Sequence, residues 1–508
     1  MKYTILLFMM GLFLFSSCED FLTEETETGV TNNNFWKTAS DVDAAVNGMY
    51  STFRLYQGNN VIVHYRDRGL VFDVLGTWTN PCNNELWKNW TKTEACISWS
   101  TEYDVVTRAN LVLDNIHRAD LTPERHDFYL GQALAIRGYM YFYILKCWGD
   151  APLILHSEDV GMKSQTPWQE IAEQCIEDLM RAAGLLPRAS ELVDIDGKAI
   201  TSKQVFSRGT CQAVLAHLYA WKAALNKEPG LNKTALLYCD SVISDNSYQL
   251  AGSVNEVCEK VILGNSPEGI LECDYKDTEF DLKGAGAYLA SFSQKWPIVP
   301  LTTPSTSRAR GLCINNSTVY AMYPDKNDSR REEYFYKLDS MAGVSTSITR
   351  GWAYVRKMRH VLTYTSGSQV GTIRAYEDNE ILIRLADIIL LRAELKAKTG
   401  DEAGAIKDLN RIRERACCSP YNAAVDGDLA GAIQDERDRE LFVEGLCTRY
   451  FDVVRNGTFR ERLRGNFKTL TDKDVEDGAL YFPVGIRAFN ENTLMLQTPY
   501  WKRNGYAY

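Results

Sequence analysis

One stretch decides the class of fold: residues 123–152, which read PERHDFYLGQALAIRGYMYFYILKCWGDAP. Thr122 can cap the first turn of a helix, and Pro123 suits the first helical position because its missing amide hydrogen would find no partner there. Apolar residues then recur at helical spacing until the Gly-Asp-Ala-Pro run, which stops a helix. The stretch therefore predicts a long helix over residues 123–147.

Helical patterns recur on both sides of this stretch and mostly come in pairs joined by short turns. They predict helices over residues 41–56, 101–119, 168–186, 202–226, 231–245, 380–398 and 402–415, and a last helix pair over 429–456. Paired helices of this kind resemble tetratricopeptide repeats, and Thr399-Gly400-Asp401 is the clearest match to the turn inside a pair. The predicted fold class is mainly α, a scaffold of degenerate tetratricopeptide-type helix pairs.

Two loop-rich segments interrupt this scaffold. Residues 58–100 are rich in Asn, Thr and Trp, and residues 250–375 in Gly, Ser, Thr and Tyr, with short β-like runs such as 352–355. Long loops in compact proteins tend to be functional. We therefore expect helical repeats over about 101–250 and 379–456, and ligand-binding segments within the two insertions.

The N-terminus indicates the compartment. An apolar run from Ile5 to Phe15 is too short for a permanent membrane helix and is typical of a secretory signal. The following Ser-Ser-Cys resembles the processing site of bacterial lipoproteins. Residues 1–17 are thus predicted to be a lipoprotein signal peptide, with Cys18 the lipidated first residue of a single domain over 18–508. Ordinary secretion with a coincidental cysteine is the alternative.

Composition and motifs exclude several classes of function. The 508 residues are 45% apolar and 24% charged, as in globular proteins, and the net charge of −10 argues against nucleic-acid binding. None of the six histidines has metal-ligand spacing, and we find no nucleophile elbow, phosphate loop or dinucleotide fingerprint. We expect no catalytic residue, metal or cofactor. The run from Asp325 to Ser329 is the one candidate for Ca²⁺, and a solvated turn is the preferred interpretation.

Cysteine usage carries no functional signal. No C-x-x-C motif occurs, and the chain is neither short nor cysteine-dense enough to be a disulfide scaffold. We expect most cysteines to be small core residues, with one or two disulfides possible.

The positive signal is aromatic. Trp78, Trp87, Trp90 and Trp99 crowd into one short stretch interleaved with asparagines. Flat apolar faces beside a few oriented polar groups suit a ligand site, whereas the structural alternative is that these rings merely cover the helices beneath. The predicted ligand-binding residues are Tyr65, Arg66, Trp78, Asn80, Trp87, Trp90, Trp296 and Arg308.

Blocks along nearly the whole chain resemble the RagB/SusD family of Bacteroidetes outer-membrane nutrient-binding lipoproteins. The blocks are CEDFL at 18–22, QALAIRGYMYFY at 132–143, WGDAPL at 148–153, SRGT at 207–210, IRLAD at 383–387, LRAE at 391–394, LNRIR at 409–413, Glu436-Arg437 with Glu440-Leu441, and Phe482-Pro483 through Asn492 to Gln497-Thr498-Pro499-Tyr500. One block departs from the family pattern, since two extra residues separate Glu444-Gly445 from Arg449. We interpret these blocks as structural, with buried pairs such as Arg384 and Asp387.

The resemblance implies a SusD-like fold and a surface-exposed binding protein without catalysis. Such a protein captures glycan oligosaccharides and delivers them to a SusC-like TonB-dependent transporter, which is its partner in the outer membrane. Binding of oligopeptides is an alternative within the family, and a lipid-anchored glycoside hydrolase is a less favoured one outside it. Neither the polysaccharide nor the contact residues transfer by motif, because the family's ligand contacts come from variable loops.

Overall fold

The computed structural model describes residues 34–58, 98–275, 298, 313–343, 351–368, 370–371, 373–445, 448–463, 465–490 and 492–506. Within these ranges the chain is mainly helical. The longer helices are α1 (Ala39–Gly58), α2 (Ser100–Asn115), α3 (Pro123–Trp148), α4 (Trp168–Leu185), α5 (Arg208–Leu225), α6 (Leu231–Ile243), α7 (Leu385–Thr399), α8 (Glu402–Arg415), α9 (Leu429–Glu440) and α10 (Thr448–Arg455).

Short helices fill the connections and the C-terminal part. They are α-helices at Val254–Glu256, Asn316–Met322, Arg330–Glu333, Leu338–Ala342, Ala423–Asp426, Phe459–Arg462, Asp472–Glu476 and Pro499–Arg503, a π-helix at Val257–Val261, and 3₁₀ turns at Ile116–Arg118, Ala189–Glu191, Gly465–Thr469 and Ile486–Phe489.

The central helix α3 begins and ends where the sequence predicts. Thr122 Oγ1 accepts a hydrogen bond from the amide of Arg125, and Pro123 occupies the first helical turn. Gly149 ends the helix at a positive φ of 72°, a conformation that favours glycine. From Tyr129 onward almost every residue of α3 is buried, so this helix forms the middle of the scaffold.

Successive helices pack on one another in chain order. The contacts run from α1 to α2 and on through α3, α4, α5 and α6, after which α6 packs on α7, and α8 and α9 pack on α7. Their inward faces form one apolar core that extends from Phe53 in α1 to Trp501 near the C-terminus. The mainly α prediction is confirmed, whereas the assignment of these helices to tetratricopeptide repeats stays a prediction.

Within the described ranges, six short strands form three antiparallel pairs beside the helices. They are β1 (Gly269–Cys273) with β6 (Glu380–Arg384), β2 (Cys313–Asn315) with β3 (Trp352–Tyr354), and β4 (Val361–Thr363) with β5 (Ile373–Tyr376). A second, smaller apolar cluster surrounds β2 and β3. Strand β6 joins the two clusters, because Ile381 belongs to the second and Leu382 to the first.

Two predicted boundaries are wrong. Residues 380–384 form strand β6 and not the first turn of a helix, because their backbone groups pair with β1, which lies more than a hundred residues earlier. A short apolar run does not distinguish a buried strand from a buried helix. Helix α5 starts at Arg208 and not near residue 202, because Ser207 Oγ caps it by accepting from the amide of Thr210 at 3.1 Å.

Eight cysteines of the described ranges are free thiols. Six of them are buried in the interior, as expected of small core residues: Cys147, Cys175, Cys211, Cys239, Cys258 and Cys273. Within the part of the chain that the structure describes, no helix combines the length and apolarity that a membrane crossing requires.

Candidate functional site

The predicted ligand-binding residues lie outside the described residues, as does Cys18. All eight predicted contact residues lie there: Tyr65, Arg66, Trp78, Asn80, Trp87, Trp90, Trp296 and Arg308. Their roles therefore stay predictions. The structure does describe where the two segments that carry them, 59–97 and 276–312, connect to the scaffold, and these junctions define the candidate site.

The first junction lies at the end of α1. This helix runs alongside α3 in the same direction, since Tyr129 donates to Asp43 Oδ1 at 2.9 Å near the start of α1. Near its end, the ring of Phe53 meets Tyr139 edge to face at 5.8 Å between centroids. The segment 59–97 therefore leaves the scaffold beside the second half of α3.

The second junction, at the end of β1, lies next to the first. Cys273 pairs with Glu380 across the β1–β6 ladder, and the amide of Tyr275 donates to Asn379 at 3.0 Å. Burial raises the pKa of Tyr275, the nearby Glu380 adds to that rise, and the positive charge of Arg54 in α1 opposes it. Arg54 thus stands within electrostatic reach of the residue from which segment 276–312 departs.

We call this shared patch the loop root, defined by Phe53, Arg54, Tyr139, Tyr275 and Glu380. Both segments with predicted ligand contacts start from it. Burial also raises the pKa of Glu380 to about 8, with a further contribution from Glu444. The loop root is therefore the part of the described scaffold to which both segments connect.

The chain re-enters the described scaffold at Ser98 and Trp99, just before α2. The ring of Trp99 packs at 5.9 Å from Trp148 and at 5.9 Å from Tyr103, and Trp148 in turn lies 5.9 Å from Phe482. Trp99 is buried, so this member of the tryptophan group packs on the helices and is not an exposed ligand-binding ring. Beneath it Glu102 is fully buried, and burial raises the pKa of its carboxyl to about 8.

A surface cleft opens beside Trp148. We call it the Trp168 cleft; its volume is about 530 Å³, within the range of ligand pockets. Trp168 is half-buried at its wall, at the start of α4, where its amide donates to Asp150 Oδ1 at 2.9 Å. Tyr481 lies on the opposite wall against Gly149, where a Cβ would stand 3.2 Å from the ring. Glycine at this position therefore allows the ring to approach the backbone.

The rim of the Trp168 cleft is fixed by hydrogen bonds between distant parts of the chain. Gln165 donates to the carbonyl of Leu496 at 3.0 Å and accepts from its amide at 3.0 Å. Asn492 donates to the carbonyl of Lys163 at 2.9 Å. The cleft is thus pre-formed, and no motif signalled it because its two walls are more than three hundred residues apart in sequence.

Comparison with known proteins identifies the family. Residues 301–501 match the model described as "SusD family", and residues 16–219 match a model described as "Starch-binding associating with outer membrane". The chain is also 25% identical to SusD-like protein P25 of Formosa agariphila, across 99% of both proteins. The chain belongs to the SusD/RagB family. The family resemblance that the short sequence blocks indicated is thereby confirmed, and the similarity extends over nearly the whole chain.

Solved structures of SusD proteins share the fold. A SusD homologue from Bacteroides thetaiotaomicron superposes with a TM-score of 0.75 at 21% identity, covering 92% of this chain and 99% of that one. A protein described as "Laminarin binding SusD-like protein" superposes with a TM-score of 0.68 at 20% identity, covering 91% of this chain and 99% of its own. At these identities the likeness establishes the SusD fold alone.

Three residues of the motif blocks, Arg384, Glu436 and Glu440, lie in a buried charged interior. Glu440 lies between Arg384 at 2.7 Å, Arg330 at 3.2 Å and Arg415. Around these lie further ion pairs; the members of this arginine–glutamate core are Glu268, Arg330, Lys357, Arg384, Arg415, Glu436, Glu440 and Glu444. The expected pairing of Arg384 with Asp387 is wrong: Arg384 binds glutamates, whereas Asp387 binds Arg437 at 2.7 Å and His217 at 2.9 Å.

A larger cavity of about 930 Å³ lies at the edge of this charged core. Its polar lining is engaged in structural contacts: Arg413 binds Asp426 at 2.9 Å, and Asp325 accepts from the amide of Ser419 at 2.9 Å. Asp328 accepts hydrogen bonds from Arg330 through both carboxylate oxygens. The oxygen-rich run from Asp325 to Ser329 therefore acts as a structural turn. Within the described ranges, no group of acids, histidines and cysteines is arranged to hold a metal.

Proposed function

We propose that this SusD-family protein is a non-catalytic glycan-binding lipoprotein of the outer membrane. It captures oligosaccharides at the cell surface and delivers them to a SusC-like TonB-dependent transporter. The family match, and the description of the matched model as starch-binding and associating with the outer membrane, support the association with glycans and with the outer membrane. The binding of laminarin by a SusD-like protein of the same fold supports a neutral glucan as the first class of ligand to test.

The loop root is the observation that carries this proposal. Two segments that are far apart in sequence start from adjacent points of the scaffold, next to Tyr139 of α3. One of them contains Trp78, Asn80, Trp87 and Trp90, and the other contains Trp296 and Arg308. Aromatic planes cover the apolar faces of sugar rings, and amide or guanidinium groups bond the hydroxyls. The shared base supports a single platform built from both segments.

The attachment of the N-terminus is compatible with a tethered lid. The chain enters the fold at Trp36, which is buried against Phe35, while the backbone of Lys37 accepts from Asp120 before the start of α3. The stretch from Cys18 to this point can span at most about 65 Å, more than the length of about 39 Å that α3 has with its 26 residues. A lipid on Cys18 thus leaves the scaffold room to hinge over a transporter, with bound ligand favouring the closed state.

The experiment is a binding titration with the lipid-free protein. Malto-oligosaccharides and laminarin oligosaccharides are titrated in a calorimeter into the wild type and into Trp78→Ala and Trp87→Ala. Each substitution is expected to weaken binding by about 1–3 kcal/mol, as for the loss of an anchoring aromatic residue. Leu237→Ala is the control, because Leu237 is an exposed apolar residue of α6, within the helical scaffold and outside both segments.

Three outcomes would contradict the proposal at different levels. Unchanged affinity in Trp78, Trp87 and Trp90 variants alike would refute the platform. Binding of peptides with no binding of any glycan would favour the oligopeptide alternative. Hydrolysis of an oligosaccharide that is abolished by changing one carboxylate would show a glycoside hydrolase.

A further inference from the structure

The Trp168 cleft is a second concave surface, built from described residues and separate from the loop root. Its back wall is Trp148, on which Trp99 also packs from the other side. Its rim carries the side chain of Leu496, which is 70% exposed. An exposed apolar lip on a pre-formed cleft is typical of a surface that receives a ligand.

The charges of the lining restrict the class of ligand. Of the described residues that line the cleft, none is Lys, Arg or His, whereas Asp150, Glu476 and Asp477 are acidic. Uronates, sulfated sugars and phosphates would therefore meet the carboxylates of Asp150 and Glu476 with no cation among the lining residues. A neutral ligand that donates hydroxyl hydrogen bonds matches carboxylate and amide acceptors.

The polar groups of the lining divide into structural and available ones. Asp477 is held by Lys473 at 2.8 Å and by Arg503, and Gln165 is held by Leu496. Gln169 is exposed on the first turn of α4, and Asp150 uses only Oδ1 among the described contacts, to accept from Trp168. Asp150 and Gln169 thus line the same cleft as the half-buried side chain of Trp168.

We infer that the Trp168 cleft is a second binding site for neutral oligosaccharides, with Trp168 as the stacking ring and Asp150 and Gln169 as hydrogen-bonding groups. The inference rests on the proposed glycan-binding function. A cleft of about 530 Å³ accommodates a short oligosaccharide. Two sites on one chain let the protein hold a long glucan at two points and so bind it more tightly by avidity.

The test counts binding sites. Short malto- and laminarin oligosaccharides are titrated into the wild type, into Leu496→Arg and into Gln169→Ala, with a galacturonate oligosaccharide as the anionic probe. The wild type is expected to bind two neutral oligosaccharides, and Leu496→Arg to lose one because the new side chain fills the lip of the cleft. Gln169→Ala is expected to weaken that site about tenfold, as for one lost polar contact of about 1.4 kcal/mol.

Leu237→Arg is the matched control, because Leu237 on α6 is 68% exposed and lies outside the cleft. Melting curves of both arginine variants verify the fold. One site in the wild type that is unchanged by Leu496→Arg would overturn the inference while leaving the loop-root platform intact. Equal binding of the galacturonate probe at the cleft would overturn its assignment to neutral sugars. Trp78→Ala and Leu496→Arg are each expected to remove a different site and to leave the other one intact. Loss of all glycan binding in either single variant would contradict two separate sites.

Discussion

Two glutamates, both fully buried, show how differently the two interiors of this protein are built. Glu102 lies in the helical apolar core, where burial raises the pKa of its carboxyl to about 8. Glu436 lies in the arginine–glutamate core, where Arg330 and Arg439 outweigh the cost of burial and lower the pKa of its carboxyl to about 2. The same side chain is therefore neutral in one interior and ionised in the other.

The difference teaches what each interior contributes. The apolar core stabilises the stack of helices by removing apolar surface from water. This contribution depends on the buried area and little on which apolar side chain is in contact. The arginine–glutamate core joins β1, β6, α8 and α9 through ion pairs that need defined geometry, because a buried charge without a partner is costly. The charged core thus fixes the strand pair β1–β6, from which segment 276–312 extends.

The largest expected effect is in the charged core. Glu440→Ala removes the carboxylate shared by Arg330, Arg384 and Arg415, and leaves buried guanidinium groups with fewer partners. We expect a loss of about 3–5 kcal/mol in the free energy of unfolding, measured by urea denaturation. The control is Lys260→Ala, which breaks an exposed pair with Glu256 and should cost less than about 1 kcal/mol. Equal losses in both variants would contradict a structural role for the charged core.

A smaller effect is expected from a single cavity in the apolar core. Leu390→Ala in α7 removes a fully buried side chain and should lower the free energy of unfolding by about 3 kcal/mol. Leu237→Ala, at an exposed position of α6, should change it by less than about 0.5 kcal/mol. A Leu390→Ala loss as small as that of the control would mean that α7 is not central to the core.

The smallest effect depends on pH and tests the contrast between the two glutamates. Because the folded-state pKa of Glu102 is about 8, above its ordinary value of 4.5, the unfolded chain releases this proton first as pH rises. The wild type therefore loses stability between about pH 4.5 and pH 8. Glu102→Gln does not ionise, so we expect it to equal the wild type near pH 4.5 and to become increasingly more stable than the wild type as pH rises toward 8.

The measurement for this prediction is urea denaturation of Glu102→Gln at the two pH values, with the exposed Glu228→Gln as the control. The sign is opposite for Glu436, whose lowered pKa means that its contribution is present above about pH 4.5 and is lost as pH falls toward 2. A Glu102→Gln difference that is the same at both pH values would refute the neutral state of this carboxyl.

Sequence patterns predicted the helices well where the apolar period was long. The bounds of α3, α4 and α8 agree with the prediction to within about two residues, as do the positions of their caps. The pattern failed at residues 380–384, because strand pairing with β1 is a non-local interaction that no local period reports. The predicted division into one domain and the predicted platform residues stay predictions, and the Trp168 cleft left no signal in the sequence.

By itself, the sequence determined most of the helices and the family to which the chain belongs, because helix periods, caps and motif blocks are local properties. The tertiary structure alone decided the partners of the buried ion pairs. Arg384 binds Glu268, Glu440 and Glu444, and it does not bind Asp387, which is only three residues away in the chain. It also decided that α1 and β1 end at one loop root, and that Gln165 meets Leu496 at the cleft. Ion pairs and clefts depend on where distant segments come together, and that is settled only when the helices pack.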